Sequence, residues 1–179
     1  MKFAVFFRNL NLGRPPAPNR IQFEQSFLTA GAGSANSFLT NGTLVFEASS
    51  RKQATTILNA ARAELLKQCE FKEPGFMREL GDLKTLTETN PFAEVDKASV
   101  YECCITFFDP AIKFGATPPV ANSKKSVEVI RYTQSEMLSV SYKLGASPGS
   151  PNAFAEREFK QAATTRAWNT VCRLVEKFG

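Results

Sequence analysis

The chain has 179 residues, 43% hydrophobic and 22% charged, with a net charge of +5 and no histidine. That composition excludes a disorder-dominated chain, and the length suits one compact domain or two small ones. The absence of histidine excludes Ser-His-Asp and Cys-His nucleophilic machinery, histidine-based metal sites and imidazole acid–base chemistry.

Residues 2–7 predict a short buried strand. The apolar run breaks at Arg8 and Asn9, too early for the h-region of a signal peptide, and no other run approaches the roughly 20 residues of a membrane span. A cytoplasmic protein with no membrane partner is expected. Gly13, Pro15, Pro16 and Pro18 then make residues 9–19 a loop. Asn19 is placed to cap a helix reaching about Ala30, with Phe23 and Phe27 four apart on its inner face and Gly31 and Gly33 at its end. Residues 37–46 predict two strands about Asn41-Gly42, a pair that favours a type I′ turn. A helix from Ser49 or Ser50 to about Cys69 follows, its apolar stripe being Ala54, Ile57, Leu58, Ala61 and Leu65. A strand over 75–78 completes the order β-α-β-β-α-β, that of a ferredoxin-like unit.

The second half predicts a short helix over 82–89 that stops at Asn90-Pro91, and a strand over 100–108. A loop over 109–125 and a hairpin of 126–132 with 136–143 come next. A polar loop over 145–151 leads to a helix capped by Asn152 and reaching Gln161. The last helix is expected to be capped by Thr164 or Thr165 and to end near Phe178. The fold class expected is α+β, with a ferredoxin-like subdomain at 1–80 and a second α+β subdomain at 81–179.

Four stretches carry a family signature: Arg8-Asn9-Leu10-Asn11-Leu12-Gly13, Asn41-Gly42-Thr43-Leu44-Val45-Phe46, Asn90-Pro91-Phe92, and Thr164-Thr165-Arg166-Ala167-Trp168-Asn169-Thr170-Val171. Together they resemble the bacterial family known as domain of unknown function 1697. Its opening motif reads roughly Leu-Arg-Gly-Ile-Asn-Val-Gly-Gly and its closing motif Thr-Thr-Arg-Asn-Trp-Asn-Thr. The resemblance runs in order along nearly the whole chain and implies the α+β fold; it supplies no reaction. Asn9 and Arg14 stand where the opening motif has glycines, and Ala167 where the closing motif has asparagine.

Cys69, Cys103, Cys104 and Cys172 show no C-x-x-C spacing. They are expected to be free thiols, and no metal site is expected. No G-x-x-x-x-G-K-[ST] or G-x-G-x-x-G occurs, and no cofactor is expected. Trp168 reads as core, with truncation to alanine expected to cost ~3–5 kcal/mol.

The candidate site is the start of the last helix. Unpaired amides there favour an anion, and Thr164, Thr165 and Arg166, with Asn169 one turn on, could complete a binding corner. Capping and an internal ion pair are the structural alternative for these residues. Arg8 and Asn11 follow the first strand and are expected to face the same ligand as Thr165 and Arg166; the alternative for Arg8 is an internal ion pair or bonds to loop carbonyls that fix the proline-rich turn. The functional expectation is non-catalytic binding of a small phosphate- or carboxylate-bearing ligand. Nucleic-acid binding on a basic face is the alternative, and an enzyme using carboxylate or lysine chemistry the second alternative.

Overall fold

Strand β1 (Lys2–Phe7) forms from the opening apolar run and lies between two neighbours in a four-stranded sheet. The computed structural model describes residues 1–109, 115 and 117–179. Helix α1 (Arg20–Thr29) starts at a full capping box. The Asn19 side chain accepts from the Gln22 N–H, and the Gln22 side chain accepts from the Asn19 N–H, each at 2.9 Å. Strands β2 (Ala35–Phe38) and β3 (Thr43–Glu47) lead to helix α2 (Arg51–Cys69), capped by Ser50, and to β4 (Gly75–Glu79). The sheet order is β2-β3-β1-β4, every neighbour antiparallel.

The expected apolar stripe of α2 is buried in full. Alternate β1 residues Phe3, Val5 and Phe7 point into the same core as Phe23 and Phe27 of α1 and Ile57, Ala61 and Leu65 of α2. Period two on the strand and period 3.6 on the helices thus meet on one side of the sheet. Phe7, Phe23 and Phe27 pack edge to face, at centroid separations of 5.4, 6.3 and 5.9 Å.

Helix α3 (Leu80–Glu88) carries the chain out of this unit. Then come β5 (Glu102–Phe108), β6 (Val120–Ala121), β7 (Val127–Tyr132), β8 (Glu136–Ser141), helix α4 (Pro151–Phe159), β9 (Ala163–Ala167) and helix α5 (Trp168–Phe178). The second sheet runs β6-β7-β8-β5-β9, again antiparallel throughout. Phe108, Val129 and Met137 of this sheet form a core with Phe154 and Ala155 of α4 and Ala163 of β9. The chain is therefore α+β. It divides into two compact units, Met1–Leu83 with Phe178–Gly179, and Lys84–Lys177. No helix among the described residues is long and apolar enough to cross a membrane.

The structure departs from the sequence expectation at four places. The β2–β3 connection is not a type I′ turn on Asn41-Gly42: the left-handed residues are Leu39 (φ 59°) and Gly42 (φ 71°), while Asn41 accepts a hydrogen bond from the Thr43 hydroxyl at 2.8 Å. The cap of α4 is Ser150 rather than Asn152, with Pro151 at the first helical position, where its missing N–H costs nothing. Within the expected loop 109–125, residues 120–121 form β6, and residues 110–114 and 116 lie outside the described residues.

The largest departure is β9. Thr164, Thr165 and Arg166 are strand residues, and α5 begins only at Trp168. β-Branched threonines fit a pleated ladder. Thr165 stands directly opposite Thr106 of β5, their hydroxyls 2.8 Å apart, a cross-strand pair that a helix start could not provide.

Candidate functional site

The anion corner expected at a helix start is not built that way. Thr164 and Arg166 are buried within β9, and Arg166 is only 7% exposed. Its guanidinium donates to the Thr164 hydroxyl and to the Thr165 carbonyl, both at 2.8 Å. Burial pushes its pKa down to about 10, which leaves it charged at neutral pH and held inside the unit. Arg8 belongs to the other unit and pairs with Glu73 at 2.7 Å. Asn11 is exposed, and its carbonyl accepts from the Arg14 N–H at 3.1 Å. Both guanidiniums therefore have partners inside their own units.

Asn9 carries φ 51° and sits where the resembled motif has glycine. A left-handed backbone explains that exchange, because asparagine is the side chain that tolerates this region best after glycine.

Of the sequence-predicted corner, Asn169 opens onto a cavity. That cavity, of about 420 Å³, lies in the second unit. Its aromatic lining is Phe92, Tyr101 and Trp168, and its polar lining includes Asn90, Lys97, Glu102 and Asn169, with the thiols of Cys103 and Cys172. Phe92 is buried, while Trp168 is half-buried rather than core as expected. Tyr101 is 58% exposed, the only exposed aromatic among the described residues. Phe92 and Trp168 pack at 5.2 Å between centroids with 56° between planes.

Local structure explains how these groups converge. Asn90, at φ 42°, turns the chain after α3 and brings Phe92 inward. The Tyr101 N–H donates to the Ser141 carbonyl at 2.8 Å, which fixes the entry to β5. Trp168 and Asn169 open α5, and Cys172 follows Trp168 one turn later on the same side of the helix. Two of the four stretches singled out in the sequence, Asn90-Pro91-Phe92 and the Trp168-Asn169 part of the closing one, thus line one cavity.

The electrostatics of the cavity are mixed. Burial raises the pKa of Cys103 and Cys172, opposed at each by the positive charge of Lys97; Glu102 adds to the rise at Cys103. The ammonium of Lys97 is thus felt at both thiols, and both stay protonated near neutral pH. No hydrogen-bond or ion-pair partner for Lys97, or for the side chains of Asn90 and Asn169, exists among the described residues. No group of three or more acidic or cysteine side chains placed to hold a metal ion occurs among them either. Sequence reading passed over Lys97, which lies between the helix expected over 82–89 and the strand expected over 100–108, and over Tyr101, which falls at the start of that strand with nothing local to mark it as a cavity residue.

A family model described as "Protein of unknown function (DUF1697)" matches residues 1–137, which include the first three signature stretches; the closing one lies beyond the match. No curated protein matches the chain. Among solved structures the chain is similar to the conserved bacterial protein SP0830 from Streptococcus pneumoniae, at 13% identity and a TM-score of 0.66, over 98% of this chain and 97% of that one. At that identity the likeness extends to the fold.

Proposed function

The chain belongs to the DUF1697 family, whose description assigns no activity, and we propose that it binds a small anionic ligand with a flat apolar body in the cavity of the second unit. The observation that carries this reading is the convergence of Phe92, Tyr101 and Trp168 around one space of about 420 Å³ with Lys97, whose ammonium has no hydrogen-bond or ion-pair partner among the described residues. That volume is within the usual range for small-molecule sites, and apolar walls with a few polar groups are their usual chemistry.

Magnitudes divide the roles. An aromatic ring that loses roughly 150 Å² of surface gains ~4 kcal/mol before ordering costs. An exposed ion pair contributes ~0–1 kcal/mol. The rings therefore set affinity, and Lys97 orients a carboxylate or phosphate. Asn90 and Asn169 supply amides that can donate to the same group, and Glu102 accepts from a donor on the ligand. The two protonated thiols are poor nucleophiles, so binding is favoured over thiolate chemistry.

The protein has a single tryptophan, so its emission reports on this cavity alone. Benzoate, phenyl phosphate and a nucleoside monophosphate, titrated in turn, are expected to include at least one that changes the Trp168 emission saturably. Lys97→Met should weaken that ligand by about threefold to tenfold. Unchanged emission and an unchanged thermal midpoint with all three would refute the reading, because a ligand that binds the native state must stabilise it.

A further inference from the structure

We propose a second, separate anion site in the first unit, on the open side of α2, for a phosphate or carboxylate carried on a small apolar body. A cavity of about 240 Å³ is lined there by Phe7 and Phe71, by Asn59, Arg62, Ala63 and Leu66 of α2, and by Lys72 and Glu73. Asn59, Arg62, Ala63 and Leu66 lie at helical spacing on α2, so they present one continuous face. Phe71 and Lys72 come from the segment after the helix, which turns back through the left-handed Glu70 (φ 57°).

The charges in this cavity do not cancel. Its one acid, Glu73, is already engaged: Arg8, which does not line the cavity, donates to it at 2.7 Å, and the Asn9 amide lies 3.4 Å from its other oxygen. Arg62 and Lys72 have no hydrogen-bond or ion-pair partner among the described residues, and neither does the side chain of Asn59. Arg62 is moreover half-buried, so part of its hydration is already given up with no side-chain partner among the described residues to replace it. A guanidinium in that state is satisfied by an oxyanion that accepts two parallel N–H bonds, with Lys72 as a second, point-like counter-charge.

The apolar part selects the rest of the ligand. Phe7 and Phe71 are buried and meet edge to face at 6.0 Å, forming a rigid floor. Leu66 is 49% exposed beside them. An anion with a short apolar body covers this surface while its charged end meets Arg62 and Lys72. Bare phosphate uses only the second half of the site. This site depends on none of the residues of the second-unit cavity, so each stands or falls alone.

Amide chemical shifts of the full chain, followed during titration with phenyl phosphate and separately with inorganic phosphate, test the inference. Saturable shifts are expected at Arg62, Ala63, Leu66, Phe71 and Lys72, with phenyl phosphate binding the tighter. The double variant Arg62→Gln, Lys72→Gln should bind at least about tenfold more weakly, while Trp168→Leu leaves these shifts unchanged. The inference is overturned if these amides do not move at millimolar phenyl phosphate, or if the double variant, its spectrum otherwise native, binds as well as the parent. Shifts confined to residues around Trp168 would overturn it too, while sustaining the other site.

Discussion

Trp168 leans on Phe92 at 5.2 Å with their planes at 56°, one residue from the first turn of α5 and the other from the segment after α3. The indole therefore has one side packed and one side lining a cavity. A side chain in that position contributes to packing and also walls a cavity, which separates it from Phe3 or Phe107, both fully buried.

Trp168→Ala should consequently cost less than loss of a fully enclosed tryptophan. Because the side chain is half-buried, about 1–3 kcal/mol is expected in place of the ~3–5 of a sealed site. Urea unfolding monitored by circular dichroism measures it. Trp168→Phe should recover most of the stability.

Arg166→Ala should lower stability and leave ligand affinity unchanged at either cavity. The side chain is buried in β9 and donates to Thr164 and Thr165. Its loss takes donors from the Thr164 hydroxyl and the Thr165 carbonyl and opens a void, for an expected ~2–4 kcal/mol. Denaturant midpoints give the first quantity and phenyl phosphate titration the second. A large affinity loss without a stability loss would restore Arg166 to the site from which its burial removes it.

These contrasts show which signals the sequence carried. The stripe of Ala54, Ile57, Leu58, Ala61 and Leu65 and the Asn19 cap were legible because local spacing decides them. Strand β9 was not: Thr164 and Thr165 suit a helix cap and a ladder equally, and the long-range partner Thr106 tips the balance. Nothing local marked Lys97 or Tyr101 as cavity residues, since their meeting with Trp168 depends on how distant segments pack. An internal ion pair was among the readings open for Arg8, but its partner, Glu73, lies 65 residues away and is set only by the fold.

Gly42→Ala should destabilise far more than Gly13→Ala. Both glycines are left-handed, at φ 71° and 79°, so both variants carry the ~1–2 kcal/mol cost of that backbone for a side chain. A Cβ at Gly13 meets nothing within 4 Å, whereas at Gly42 it would sit 2.6 Å from the Leu10 Cβ and 3.2 Å from the Leu10 carbonyl oxygen. The overlap should add about 1–3 kcal/mol, and the difference in thermal midpoints isolates it.

The thiols should be graded by burial. Desolvation pushes the Cys104 thiol up to about 12, and raises Cys103 and Cys172 above their ordinary value. A disulfide reagent near pH 7 should label Cys103 and Cys172 slowly, faster as pH rises, and Cys104 only on unfolding. The unfolded chain releases the Cys104 proton near pH 9 and the folded one near 12. Between those values the native state holds more protons, so this thiol contributes a loss of stability as pH climbs through that window. Cys104→Ala should flatten the fall. A ligand in the second-unit cavity should also protect Cys103 and Cys172, which line it.

Arg8→Ala should weaken phenyl phosphate binding at the first-unit cavity even though Arg8 does not line it. The ion pair with Glu73 is partly exposed, at 26% and 32% for the two side chains, so its loss should cost stability only ~0.5–1 kcal/mol. The carboxylate left behind is then available to Arg62 and Lys72, and competes with an incoming anion. Affinity is expected to fall about threefold to tenfold, and the second substitution Glu73→Gln should restore it. Isothermal titration of the single and double variants reads this directly. If Arg8→Ala binds as the parent does, Glu73 does not reach those cations, and neutralisation by Arg8 is not what keeps the cavity positive.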